Sequence, residues 1–171
     1  MRTICLSIVV AVISAQSSTM TYQTPKPHTV LDYYELLPEK YFEANEEQRV
    51  KWMLDPRRGA IVDVKNGYLY APGDGAQTDV YVSLFKKSDG SYLIAVKTHP
   101  ADTDEYTRLD LYVFKRGMLL DVSKTAFPVA VNERLQYELP RYGRTIQVKN
   151  KIGRRVYDLI WVADRFRLKK S

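Results

Sequence analysis

From Gly59 to the end of the chain, apolar and polar residues alternate in short runs broken by turn dipeptides. A period of two is the mark of strands buried on one face. "IVDVKNGYLYA" holds Asn66-Gly67 between two such runs. That pair predicts a two-residue hairpin, because both central positions of the turn need positive φ. In "VYVSLFKKSDGSYLIAV", a three-residue Ser88-Asp89-Gly90 loop with Gly90 left-handed sets Leu84 opposite Ile94 and Val82 opposite Val96. A two-residue Asp89-Gly90 turn would set Val82 against Lys97, so the longer loop gives the expected register. "RLDLYVFKRGMLLDVS", turning at Arg116-Gly117, places Val113 opposite Leu120 and Leu111 opposite Val122. "AFPVAVNERLQYELPRYG" alternates less clearly, and its Pro128 and Pro140 fit a bend or a sheet edge. "TIQVKNKIGRRVYDLIWVADRFRL" predicts a loop at 149–153 and a tight turn at Ala163-Asp164.

Ahead of Gly59 the pattern is helical. Thr29, followed three residues later by Asp32, predicts a capped helix start near Val30. Val30, Leu31, Tyr33, Tyr34 and Leu37 supply the apolar face, and Pro38 ends it. Asn45 with Gln48 predicts a second start, and Val50, Met53 and Leu54 form a stripe that Pro56 closes. The expected fold over 29–171 is a single α+β domain. It is an antiparallel meander of roughly eight to ten strands, curled toward a barrel if the sheet closes, with the N-terminal helices packed on it. Runs this short leave no room for parallel crossovers. A short helix rich in Tyr, Leu and Pro followed by hairpins resembles uncharacterised exported bacterial proteins, a resemblance that implies no activity.

The first residues read as a leader, not as part of the fold. After Met1-Arg2, residues 3–13 are uncharged and mostly apolar, the length of a secretory signal core and too short to span a bilayer. Cleavage fits after Ala15 or Ser17, giving a signal peptide over 1–17 and a polar tether over 18–28 that contains two prolines. The expected destination is the periplasm or the exterior. Cys5 lies inside the apolar run, not at its end, so it does not fit a lipid-modified cysteine. Without the leader the chain has no cysteine, which excludes disulfides, a thiol nucleophile and zinc–thiolate sites.

Charge is unevenly placed. The total is +6, and loss of Arg2 leaves +5. From 141 to 171 there are ten Lys or Arg against Asp158 and Asp164, whereas from 32 to 55 there are seven acids against three bases. Either the two ends attract each other, or the basic end faces an anionic partner. For an exported protein that partner is an acidic protein, anionic polysaccharide or lipid headgroups, not nucleic acid.

Candidate chemistry is sparse. His99 precedes Asp102, Asp104 and Glu105, a set that reads as a solvated loop, with weak divalent-cation binding as the rival. "APGDGAQTD" offers Gly73 and Gly75 for turning amides toward an anion and Asp74 and Asp79 for a cation, yet no helix follows as a phosphate cradle requires. No nucleophile elbow is present. Asp63, Asp110, Asp121 and Asp158 alternate with apolar residues, as outward sheet faces do. Tyrosine is abundant, thirteen with Trp52 and Trp161, and aromatic residues on strands serve interfaces as well as cores. The expectation is an exported, non-catalytic binding module for a protein or an anionic envelope polymer. Its predicted binding face is Arg154, Arg155, Arg165, Arg167, Tyr157 and Trp161, with no catalytic residue, metal or cofactor. One alternative is a carrier holding a small apolar ligand between runs such as "YLIAV" and "YDLIWV". Another is a hydrolase that pairs Asp102 or Asp104 with a distant carboxylate.

Overall fold

The computed structural model describes residues 26–42, 46–74, 77–99 and 107–170. The segment expected to be a leader, most of the expected tether, Asn45, Gly75, Asp102, Asp104 and Glu105 lie outside the described residues. Helix α1 (Val30–Glu35) starts as its sequence predicts: Thr29 Oγ1 accepts from the Asp32 amide at 3.2 Å, and Asp32 accepts from the Thr29 amide at 2.9 Å. The His28 amide, 2.8 Å from the same carboxylate, joins that of Thr29 in holding Asp32 below the usual carboxylate range. Pro27 is buried, and its carbonyl accepts from Tyr33 at 3.2 Å, so the residues just ahead of α1 are fixed to the helix. Pro38 caps a 3-10 turn over Glu39–Tyr41, and α2 (Glu46–Lys51) leads to a second turn over Pro56–Arg58.

Ten antiparallel strands follow among the described residues. One sheet is the meander β1 (Ile61–Asp63), β2 (Tyr68–Ala71), β3 (Asp79–Lys86), β4 (Tyr92–His99), β5 (Arg108–Lys115) and β6 (Met118–Asp121). The other is β7 (Gln136–Glu138), β8 (Thr145–Lys149), β9 (Arg155–Val162) and β10 (Arg165–Lys170). The expected strand number holds, but a single curled sheet does not. Among the described residues the meander breaks into two sheets and closes no barrel. The break has a local cause. The Val122 amide still reaches the Leu111 carbonyl at 2.8 Å, but the chain then turns into α3 (Ser123–Ala126) and reaches Pro128, which has no amide hydrogen to extend the ladder.

The layers are helices, six-stranded sheet, four-stranded sheet. β4 shows why: it is buried on both faces. Ile94 and Val96 pack with Val30, Tyr33, Tyr34, Val80 and Val82 under the helices. Leu93 and Ala95 pack with Leu111, Ile146, Leu159, Trp161 and Phe166 between the sheets. Of the runs proposed to line a ligand cavity, Leu93 to Val96 of β4 and Leu159 and Trp161 of β9 lie in these two cores. Among the described residues, the N-terminal helices pack on one face of the six-stranded sheet and the basic C-terminal strands on the other.

Hairpin registers follow the apolar pattern. Leu84 faces Ile94 around Gly90 (φ 78°), and Val113 faces Leu120 around Arg116-Gly117 (φ 54° and 83°). Asn66-Gly67 is the exception. The ladder closes at Asp63 and Tyr68, leaving a four-residue loop in which only Gly67 is left-handed, at φ 64°. The Asp63 carboxylate takes both the backbone and side-chain amides of Asn66, at 3.2 and 3.0 Å, and this holds Asn66 out of the conformation a two-residue turn needs. Gly67 is needed there for space as well, because a Cβ would lie 2.9 Å from that of Leu84.

Candidate functional site

The two-residue turn at Ala163-Asp164 (φ 48° and 61°) joins β9 to β10 and fixes what each strand presents. Asp164 anchors the turn by accepting from the Ser88 amide at 2.8 Å and from the Ser88 hydroxyl. In a hairpin of this type the closing pair, Val162 and Arg165, exchanges both backbone bonds. The amide of Trp161 points the other way, to the Arg144 carbonyl of the loop before β8 at 2.9 Å, which agrees with that phase.

Side chains then sort by parity. Phe166, Trp161 and Leu159 turn toward the six-stranded sheet, and Tyr157 packs against the same core. Arg165, Arg167 and Lys169 turn outward, opposite Val162, Ile160 and Asp158. The predicted binding set is therefore split. Trp161 is only 4% exposed, lies between Phe85 and Phe166 at 5.6 and 5.1 Å, and donates its indole N–H to the Lys86 carbonyl at 3.0 Å. Arg154 is exposed in the β8–β9 loop, its amide held by the Asn150 side chain at 2.9 Å.

Arg155 reaches the outward face through a defect. Residues three apart on a regular strand face opposite ways, yet Arg155 Nε bonds Asp158 at 2.6 Å and a second guanidinium nitrogen bonds its other oxygen. A register shift beside Lys149 supplies the extra residue that turns Arg155 over. Lys149 pairs Glu138 at 2.5 Å. Arg165, Arg167 and Lys169 have no ion-pair partner among the described residues, and they repeat on alternate positions of an edge strand. Lys169 escaped the sequence reading, although its spacing from Arg167 was the signal.

Two partly exposed polar clusters lie elsewhere. Tyr70 and Tyr81 stack at 4.6 Å, with Lys97 Nζ 3.9 Å from the Tyr81 ring. Asp79 accepts from both hydroxyls at 3.3 Å and from the Gly73 amide at 2.8 Å, so it ties down the glycine loop, as a hairpin connection would. A Cβ at Gly73 would meet the Gln77 carbonyl at 1.9 Å, so this glycine serves close approach. Burial pushes the Lys97 ammonium below the usual lysine range, only partly offset by Glu138 and Asp79.

The second cluster surrounds Asp110. It accepts from Tyr41 Oη, from Arg108 Nε at 2.7 Å and from Lys40 Nζ at 3.4 Å, and Tyr41 also meets Tyr112 hydroxyl to hydroxyl at 2.7 Å. Asp110 and Asp121 line one open cleft of about 400 Å³ with Ser123 and Lys124. Paired carboxylates that cleave a glycosidic bond need one kept protonated. Burial raises Asp121, but its bonds with Ser123, together with Lys40 and Arg108, outweigh that and leave it lowered. Through Tyr41 and Lys40, Asp110 also ties the helix layer to β5.

A further strut joins the two sheets: Arg141, between β7 and β8, bonds Asp63 of β1 at 2.8 Å. Asp63 is held below the usual carboxylate range, first by the Asn66 side chain and then by Arg141. A carboxylate lowered on folding adds stability above its unfolded value, and that contribution fades as pH falls through the folded one. Arg141→Ala is expected to raise the Asp63 titration midpoint partway, and carboxyl NMR titration from pH 2 to 6 checks it. An unchanged midpoint would show the bridge to be absent in solution.

The chain matches no protein-family model, no curated protein and no solved structure. Among the described residues no helix is long and apolar enough to cross a membrane, and no group of three His, Cys, Asp or Glu is placed to hold a metal ion.

Proposed function

We propose that this chain is an exported, non-catalytic binding module that recognises an anionic partner through the outward face of its four-stranded sheet. The observation that carries the reading is the row Arg165, Arg167 and Lys169, three cations on one face of an edge strand with no ion-pair partner among the described residues. Cations that repel one another on one strand favour an acidic surface laid across them. Arg155 and Lys149 flank the row, already engaged by Asp158 and Glu138. Aromatic anchoring is not part of this reading, because Tyr157 and Trp161 turn to the core side.

Retention on an immobilised sulfated polysaccharide tests it. Replacing Arg165, Arg167 and Lys169 together by Glu is expected to lower the salt needed for elution to that of a neutral matrix, with the melting curve kept. Reversing Arg57, Arg58 and Lys51, on the helix side, is expected to change elution little. Equal elution of the parent and the β10 variant would defeat the proposal.

A further inference from the structure

The same hairpin phase that turns Arg165, Arg167 and Lys169 outward also decides where the backbone of β10 points. Val162 and Arg165 exchange bonds, so Arg167 and Lys169 continue that ladder to β9, while the N–H and C=O groups of Phe166, Leu168 and Lys170 point away from it. β10 is the last strand of its sheet, and among the described residues no hydrogen bond reaches those outward groups. Beside this edge runs an open groove of about 440 Å³, walled by residues 125–128 on one side and 165–168 on the other. Phe127 stacks on Phe166 at 6.0 Å to form its floor, and Leu168 is 39% exposed within it.

Resting on the proposed function and naming its partner, we infer that β10 accepts an extended polypeptide as an added antiparallel strand, one that alternates acidic and apolar residues. Both alternations come from β10 itself. On the outward face the incoming side chains meet Arg165, Arg167 and Lys169, which select carboxylates. On the inward face they meet Leu168 and the Phe127 wall, which select apolar groups. A second copy of this chain is a poor occupant, because pairing β10 with its own copy sets cation against cation along the outward row. The charge that guards the edge from self-association is the charge that admits an acidic strand.

The amide geometry makes the test specific. In an antiparallel pair the residues opposite Phe166, Leu168 and Lys170 exchange both bonds with them, and those opposite Phe166 and Leu168 are the apolar residues of the incoming strand. The probe is a capped peptide alternating glutamate and valine, its binding followed by fluorescence anisotropy. Methylating the valine amides is expected to weaken binding by about tenfold or more, whereas methylating the glutamate amides leaves it intact. Leu168→Pro removes one outward amide without touching the β9 ladder and is expected to weaken the peptide similarly, with polysaccharide retention unchanged. Should that variant melt early, the methylated peptides still decide the matter. Equal binding of the two methylated peptides would overturn strand addition and leave a charge-only site. Retention of the polysaccharide with no peptide binding would also overturn it, with the basic-face reading intact. Loss of both would remove the proposed function itself.

Discussion

Trp161→Ala is expected to destabilise the protein by about 3–5 kcal/mol, while Arg167→Ala shifts stability by less than about 0.5 kcal/mol. The indole sits in the core between the sheets, against Phe85 and Phe166, and satisfies the Lys86 carbonyl. Truncation opens a cavity at the contact between β9 and β3 and strands that carbonyl, and the surrounding rings cannot all close on the gap. Arg167 is exposed on the edge strand. Urea unfolding of both variants separates the cases. A Trp161→Ala loss below about 1 kcal/mol would place this tryptophan at the surface.

Asp110→Ala is expected to cost about 2 kcal/mol, and Asp110→Asn clearly less. The carboxylate is the shared acceptor for Tyr41, Lys40 and Arg108, so its removal leaves two cations around the Tyr41 ring, 5.0 and 5.4 Å from its centre. Burial already pushes the Tyr41 hydroxyl well above the usual tyrosine range, and that hydroxyl would keep only Tyr112 as partner. Lys40 and Arg108 are 36% and 49% exposed and regain water, which holds the loss below that of a fully buried pair. Asparagine retains an acceptor for Tyr41 and loses only the charge. Equal losses for the two variants would show that charge, not the hydroxyl bond, carries the cluster.

What the sequence revealed depended on how local the determinant was. The Thr29/Asp32 cap and the Leu84/Ile94 register are set by residues within one turn or one hairpin, and both stand as read. Asn66-Gly67 misled because a side chain three residues earlier, Asp63, competes for Asn66. The division into two sheets lay in the weakly alternating stretch after β6, where no residue pattern says which strand a later one will leave. For the proposed binding face, alternation was legible, but which parity turns to the core is set by the sheet packing and was not. Arg165 and Arg167 share a face, Phe166 and Trp161 share the opposite one, and the bulge beside Lys149 moves Arg155 against the period. The Asp110 cluster was invisible because Tyr41 and Asp110 stand 69 residues apart.

The most direct test of the proposed binding face is an amide NMR titration with oligoglutamate at low salt. Shifts concentrated at Arg165, Arg167 and Lys169 and along the outward edge of β10, and suppressed by salt as charge contacts are, are the predicted result. Shifts centred on Lys40, Arg108 and Lys124 at the Asp110 cleft, or a spectrum that does not change, would contradict it.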